Sequence, residues 1–238
     1  MEPFLTTAFW ISVAQIIAID ILLGGDNAVV IALACRRLPE AQRSRGIFWG
    51  VVGAIGLRVV LIFFALHLLE LPWLKVVGAA LLVWIGVKLM LPEAEGADHG
   101  SVEGSATLWG AVRTVVVADA VMSVDNVLAV AGAAHGDMSL VVFGILVSIP
   151  IIVWGSRIVL TLMDRFPFIV TLGGALLGWI AGGMLVSDVA TRAWAEAHLP
   201  SAHMSAGAAG ALLVVVFGRW LASRRPRPTG PVREIPLE

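Results

Sequence analysis

The chain has 238 residues, 59% of them hydrophobic and 14% charged, with a formal net charge of −1. A soluble domain carries roughly a quarter charged residues, so too little polar surface remains to coat a globule, which excludes a cytosolic enzyme, a disordered chain or a secreted scaffold. The charge balance offers no basic excess for nucleic acid, and the single cysteine, Cys35, permits no internal disulfide.

Seven apolar runs follow in chain order, near residues 7–34, 46–69, 73–91, 106–134, 138–161, 167–187 and 205–222. Each is long enough for a bilayer core of about 30 Å, which takes roughly 20 apolar residues. Ahead of the first stands Met1-Glu2-Pro3, without the basic leader of a cleaved signal peptide, so this run is expected to stay in the mature protein. Arg36, Arg37, Arg43 and Arg45 crowd the connection between the first two runs. Residues 92–105, after the third, form an acidic, glycine-containing linker with no Lys or Arg. Residues 223–238, after the seventh, hold Arg224, Arg225, Arg227, Arg233 and four prolines and read as an extended basic tail.

Basic residues mark the cytoplasmic side of a membrane protein. Seven spans put both basic clusters there, with the N-terminus outside and the C-terminus inside, whereas an even number would separate them. Trp10, Trp49, Trp73, Trp109, Trp194 and Trp220 fall near span ends, where aromatic anchors sit. Lys75 and Lys88, near the ends of the third run, are expected to snorkel. His198, His203 and Glu196 read as solvated loop residues.

The chain contains an internal repeat. Asp20-Ile21-Leu22-Leu23-Gly24-Gly25-Asp26-Asn27 recurs 99 positions later as Asp119-Ala120-Val121-Met122-Ser123-Val124-Asp125-Asn126. The same offset carries Gly56-Leu57-Arg58 onto Gly155-Ser156-Arg157. With a four-residue deletion, Gly78–Ile85 matches Gly173–Ile180. The unit is three spans, and an odd number makes the second copy enter the membrane from the opposite side, an arrangement that recurs in secondary transporters. The expected fold is therefore all-α: two inverted-topology three-helix repeats, 7–91 and 106–187, joined by a cytoplasmic linker, plus a peripheral seventh helix, 205–222.

The repeated acids carry the chemistry. Asp20 and Asp119 each lie about 13 residues into their runs, where a carboxylate costs roughly 2.5–3.5 kcal/mol and needs compensation. Six residues along a straight helix turn through about 600°, so Asp20 and Asp26 share no face unless the helix opens between them. Gly24 and Gly25 supply a break, and Ser123 a weaker one in the second copy. The donors are Asp20, Asp26, Asn27, Asp119, Asp125 and Asn126, all oxygen ligands, which suit Mg²⁺, Ca²⁺ or Mn²⁺ better than zinc or copper. Protons relieve the repulsion of clustered acids as a metal does, so the same residues suit metal–proton exchange. Arg58 and Arg157 are candidate counter-charges for the metal-free state. In the competing structural reading, the acids pair with Arg58, Arg157 and Arg113 as helix glue.

With these paired motifs the chain resembles the TerC family of integral membrane proteins, in its short form without extra cytoplasmic domains. Asp20–Asn27 with Ala28-Val29-Val30-Ile31-Ala32, Ala118–Asn126 and Gly78–Met90 carry the likeness, which covers residues 7–222. The resemblance implies a fold related to the lysine-exporter superfamily and efflux of manganese. It brings the historical label of tellurium resistance, which an acidic site does not explain. The expected function is a secondary transporter exporting Mn²⁺, with Ca²⁺ as second candidate, across the cell membrane. It is expected to need no cofactor besides the transported ion, and its expected partners are that divalent ion and the lipid bilayer, with no nucleic acid. Two other classes compete: a membrane scaffold assisting secretion, and an intramembrane aspartyl protease, which needs one acid pair rather than four acids with duplicated asparagines.

Overall fold

A computed structural model describes Trp10, Ile11, Ala14 and residues 26–91, 107–133, 138–199 and 201–224; for 62–63, 65–70, 124–133, 138–142 and 144–145 it describes the backbone alone. The described residues form helices α1 (Asp26–Cys35), α2 (Glu40–Glu70), α3 (Leu74–Met90), α4 (Leu108–Ala133), α5 (Met138–Arg165), α6 (Phe168–Ser187), α7 (Arg192–His198) and α8 (Ala202–Arg224). In α2, α3, α4, α6 and α8 the apolar residues run round the whole helix instead of gathering on one face. Such a surface is stable where the solvent is lipid. Glu40–Leu61, Leu146–Arg165, Phe168–Ser187 and Ala202–Arg224 are long and apolar enough to cross a membrane. The protein is an all-helical, polytopic membrane protein.

The last six expected runs fall on α2–α6 and α8, and α1 lies within the first. Boundaries differ where polar turns extend a helix beyond its apolar part. Helix α2 starts at Glu40 instead of 46, because Pro39 opens it: the N–H groups of Gln42 and Arg43 donate to the Pro39 carbonyl at 2.8 and 3.2 Å. Helix α5 runs on to Arg165, and the polar connection before α8 folds into the short α7.

Helix α2 lies along α4, and α3 along α6, which in turn carries α8. Helix α1 is enclosed: Val30 through Cys35 are at most 4% exposed. Glycines set two of its neighbouring contacts. A methyl group at Gly173 of α6 would stand 2.8 Å from Leu33 of α1, and one at Gly78 of α3 would stand 2.7 Å from Val121 of α4. The closest approach joins α6 to α8, where a β-carbon on Gly178 would strike the Gly210 carbonyl and one on Gly182 the Ala206 carbonyl. Small residues let backbones meet in this way where lipid gives helices no hydrophobic reason to associate. The outer side of α8, with Leu212, Val216 and Phe217, is exposed. Trp10, Trp49, Trp73, Trp109, Trp194 and Trp220 are all exposed.

Two polar clasps fix opposite ends of α3. At its C-terminus, Arg37 donates through Nη2 to the carbonyls of Lys88 and Leu91 at 2.6 and 2.5 Å. Beside it Arg43 donates to the carbonyls of Leu38 and Arg36 and pairs with Asp164 of α5 at 2.6 Å. At the other end, Asp188 follows the last turn of α6 and accepts from the backbone N–H groups of Trp73 at 2.9 Å, Lys75 at 3.0 Å and Ala190 at 2.8 Å. Trp73 holds a left-handed φ of 69° and gives α3 no side-chain cap, so Asp188 caps that helix from across the fold.

Candidate cation site

Beneath these clasps lies a buried polar cluster. Arg58 of α2 and Asp119 of α4 are 3% and 5% exposed, and Nη2 of the arginine donates to Oδ1 of the carboxylate at 2.6 Å. Ser123, one helical turn beyond Asp119, is fully buried. Its hydroxyl donates to Oδ2 of Asp119 at 3.0 Å and accepts from Nε of Arg58 at 3.2 Å. The three groups close a ring, as buried charges require when water is excluded.

Asp26, at the start of α1, is within electrostatic reach of this ring, repelled by Asp119 and attracted by Arg58. Its carboxylate accepts from the backbone N–H of Asn27 at 2.8 Å. The Asn27 side chain is 4% exposed, and among the described residues neither its Oδ1 nor its Nδ2 has a hydrogen-bond partner. A buried carboxamide without partners loses its hydration for no return, which makes Asn27 the least satisfied polar group of the cluster.

The fold thus joins Asp119 and Ser123 of the second motif to Arg58, and sets Asp26 of the first motif within electrostatic reach of Asp119. Asp20, Gly24 and Gly25 lie outside the described residues, as do the side chains of Asp125 and Asn126. Ser123 is no helix break: α4 runs unbroken from Leu108 to Ala133, because this hydroxyl bonds a side chain one turn back and leaves the backbone ladder intact. Arg58 joins the acids, whereas Arg157 is exposed on α5 and the neighbouring Ser156 is buried in its place. Arg113 is exposed too.

The donors Asp26, Asn27, Asp119 and Ser123 are oxygen ligands of the kind that hard divalent cations take, and no thiol or imidazole stands among them. Among the described residues no three of His, Cys, Asp and Glu come close enough to hold a metal. The asparagine and serine oxygens would therefore have to complete the set. His198 and His203, expected in a loop, lie in α7 and α8 because the polar connection is itself helical, and they belong to no such group. His198 stacks on Trp194 at 5.2 Å, and Glu196 pairs with Arg192 at 3.8 Å. Lys88 rests over the Trp84 ring at 4.8 Å, so its stem runs along the helix surface as snorkelling requires.

Sequence reasoning missed three residues that shape the frame around this cluster. Asp188 belongs to no motif, and its one signal is an acid directly after an apolar run. Arg37 and Arg43 were counted only as orientation charges, although their forked donors suit the carbonyls at a helix end.

A family model described as integral membrane protein TerC family matches residues 5–226. The chain is 43% identical over 180 residues to the uncharacterized membrane protein YjbE of Bacillus subtilis, covering 76% of this chain and 81% of that one. It is 30% identical over 179 residues to the uncharacterized membrane protein YceF of the same organism, covering 72% and 69%. To the UPF0053 inner membrane protein YoaE of Escherichia coli it is 24% identical over 236 residues, which cover 92% of this chain and 44% of the relative. No solved structure matches it.

Proposed function

Because the chain belongs to the TerC family of integral membrane proteins, we propose that it is a secondary transporter exporting a hard divalent cation, Mn²⁺ ahead of Ca²⁺. It acts as a carrier and not as an enzyme. The observation that carries this reading is the orphaned, buried Asn27 carboxamide next to Asp26, with Asp119 in electrostatic reach. A cation between these groups gives the Asn27 oxygen a partner and offsets the repulsion of the two acids.

Two inverted three-helix repeats underlie the transport cycle in this reading. In support, the close contacts come in repeat-related pairs. Gly78 of α3 meets α4, and its counterpart Gly173 of α6 meets α1. Helix α2 packs on α4, and α5 approaches α1 where a β-carbon on Gly155 would meet Ala28 at 3.9 Å. Asp26 and Asp119 come from different copies and feel each other's charge, and secondary transporters bind their cargo between such copies. The α1–α2 turn shares an end of the bundle with the C-termini of α3 and α5, and its arginines make that end the cytoplasmic one.

The test is transport by purified protein in liposomes with Mn²⁺, Ca²⁺, Mg²⁺ and Zn²⁺ compared and pH clamped on both sides. The expected order places Mn²⁺ first, with uptake lost in Asp26→Asn and Asp119→Asn and protons moving in the opposite direction. Preference for Zn²⁺ over Mn²⁺, or full transport by either variant, would sink the proposal.

A further inference from the structure

We propose that Arg58 is a built-in competitor of the transported cation, a specificity-determining residue whose guanidinium stands on Asp119 until a divalent ion expels it. The inference rests on the transport reading above and adds to it how the site rejects monovalent ions.

Both oxygens of Asp119 are engaged in the ring, Oδ1 by the Arg58 guanidinium at 2.6 Å and Oδ2 by the Ser123 hydroxyl at 3.0 Å. The arginine is anchored a second time through Nε on Ser123. Among the described residues, Arg58 is the single basic side chain that is buried, and its repeat counterpart Arg157 is exposed. A fixed positive charge is therefore built into one half of the site only.

A cation bridging Asp26 and Asp119 would stand beside that guanidinium, and like charges at such range repel strongly where water is excluded. It must replace the arginine on Asp119 instead of joining it. A sodium or potassium ion brings the same single charge as the guanidinium, without its fork of N–H donors, and gains nothing by the exchange. A divalent ion brings twice the charge to the same carboxylates. Replacement also cuts a tie between α2 of the first repeat and α4 of the second, so cargo occupancy is felt across the two halves.

The experiment measures Mn²⁺ binding to purified protein in nanodiscs, with Na⁺ or K⁺ as competitor, for wild type, Arg58→Gln and Arg58→Lys. Removing the charge should tighten Mn²⁺ binding by about tenfold and open the site to monovalent competition, since the displaced charge is gone. Arg58→Lys should keep the exclusion of monovalent ions. A folded Arg58→Gln protein with unchanged or weaker Mn²⁺ binding overturns the proposal. Should Arg58→Gln fail to fold, infrared difference spectra of wild type with isotope-labelled arginine decide. A guanidinium band that moves on Mn²⁺ addition supports expulsion, and one that stays overturns it. A wild type that binds no divalent ion defeats the transport reading itself, whereas one that binds Mn²⁺ without responding to Arg58 defeats only this inference.

Discussion

Replacing Asp188 tests how α3 and α6 are held in register. Its carboxylate is 0% exposed and accepts three backbone N–H groups at 2.8–3.0 Å, two of them from the first turn of α3. Asp188→Ala leaves Trp73, Lys75 and Ala190 without that acceptor. Hydrogen bonds to a charged group contribute about 1.5–3 kcal/mol each. Water at the membrane surface re-satisfies part of the loss, so the expected cost is about 2–4 kcal/mol, above that of an ordinary cap. The left-handed Trp73, φ 69°, offsets a little of it by relaxing once its N–H is released. Asp188→Asn keeps one acceptor oxygen and should cost about half as much. The pH dependence has a definite sign. Burial opposes ionisation of Asp188, but the N–H groups of Ala190, Trp73, Lys75 and Val76 outweigh it and hold the carboxyl below its ordinary value. A depressed acid stabilises the fold fully above the unfolded-state value, near pH 4, and loses that contribution as pH falls through the folded value. Denaturant unfolding in detergent, followed by tryptophan fluorescence from neutral to acid pH, reads both effects. An Asp188→Ala protein within about 0.5 kcal/mol of wild type at neutral pH would refute the capping argument.

Three further outcomes follow from the packing. Gly182→Leu drives a side chain into the Ala206 backbone and should cost about 1–3 kcal/mol by thermal unfolding. Gly56→Leu is its control, because an added β-carbon there meets nothing within 4 Å; equal losses in the two would remove the close-approach explanation. Asn27→Leu swaps an unsatisfied carboxamide for an apolar group of similar size, so unfolding measurements should show stabilisation by about 1–2 kcal/mol while Mn²⁺ transport is lost. Reduced stability would mean that Asn27 serves the fold. Asp164→Asn breaks a pair whose side chains are 22% and 43% exposed, and should change stability by less than about 1 kcal/mol.

Much of the frame was legible because lipid imposes a simple rule: a run of apolar residues becomes a helix, with no turn chemistry to decode. Runs such as 167–187 and 138–161 coincide with α6 and α5 for that reason. The rule fails where water returns, so the polar start of α2 and the whole of α7 went unseen. The candidate site was legible in outline because Asp26 and Asp119 are expensive residues in apolar surroundings. The role of Ser123 was misread, since a serine in a glycine's place looks like a weakness in the helix. It forms a bond to Asp119 one turn back, which depends on Arg58 lying across from it. No spacing within one helix predicts that partner.

The two halves correspond in packing and differ in charge. Gly78 and Gly173 do the same work against α4 and α1, yet Arg58 points into the core where Arg157 is exposed. One residue of difference in where α2 and α5 turn their polar side chains produces this, because on α5 it is Ser156 that faces inward and donates to the Ile152 carbonyl. In a carrier built from matched halves, identical charges would make the two end states close mirror images with equal hold on the cargo. Among the described residues, one buried guanidinium, that of Arg58, removes that equivalence. In the proposed cycle, whichever state presses Arg58 against Asp119 would release the cation more readily. Under the proposed transport function, the asymmetry that the repeat leaves in this one pair would thus give the cycle a preferred state for release.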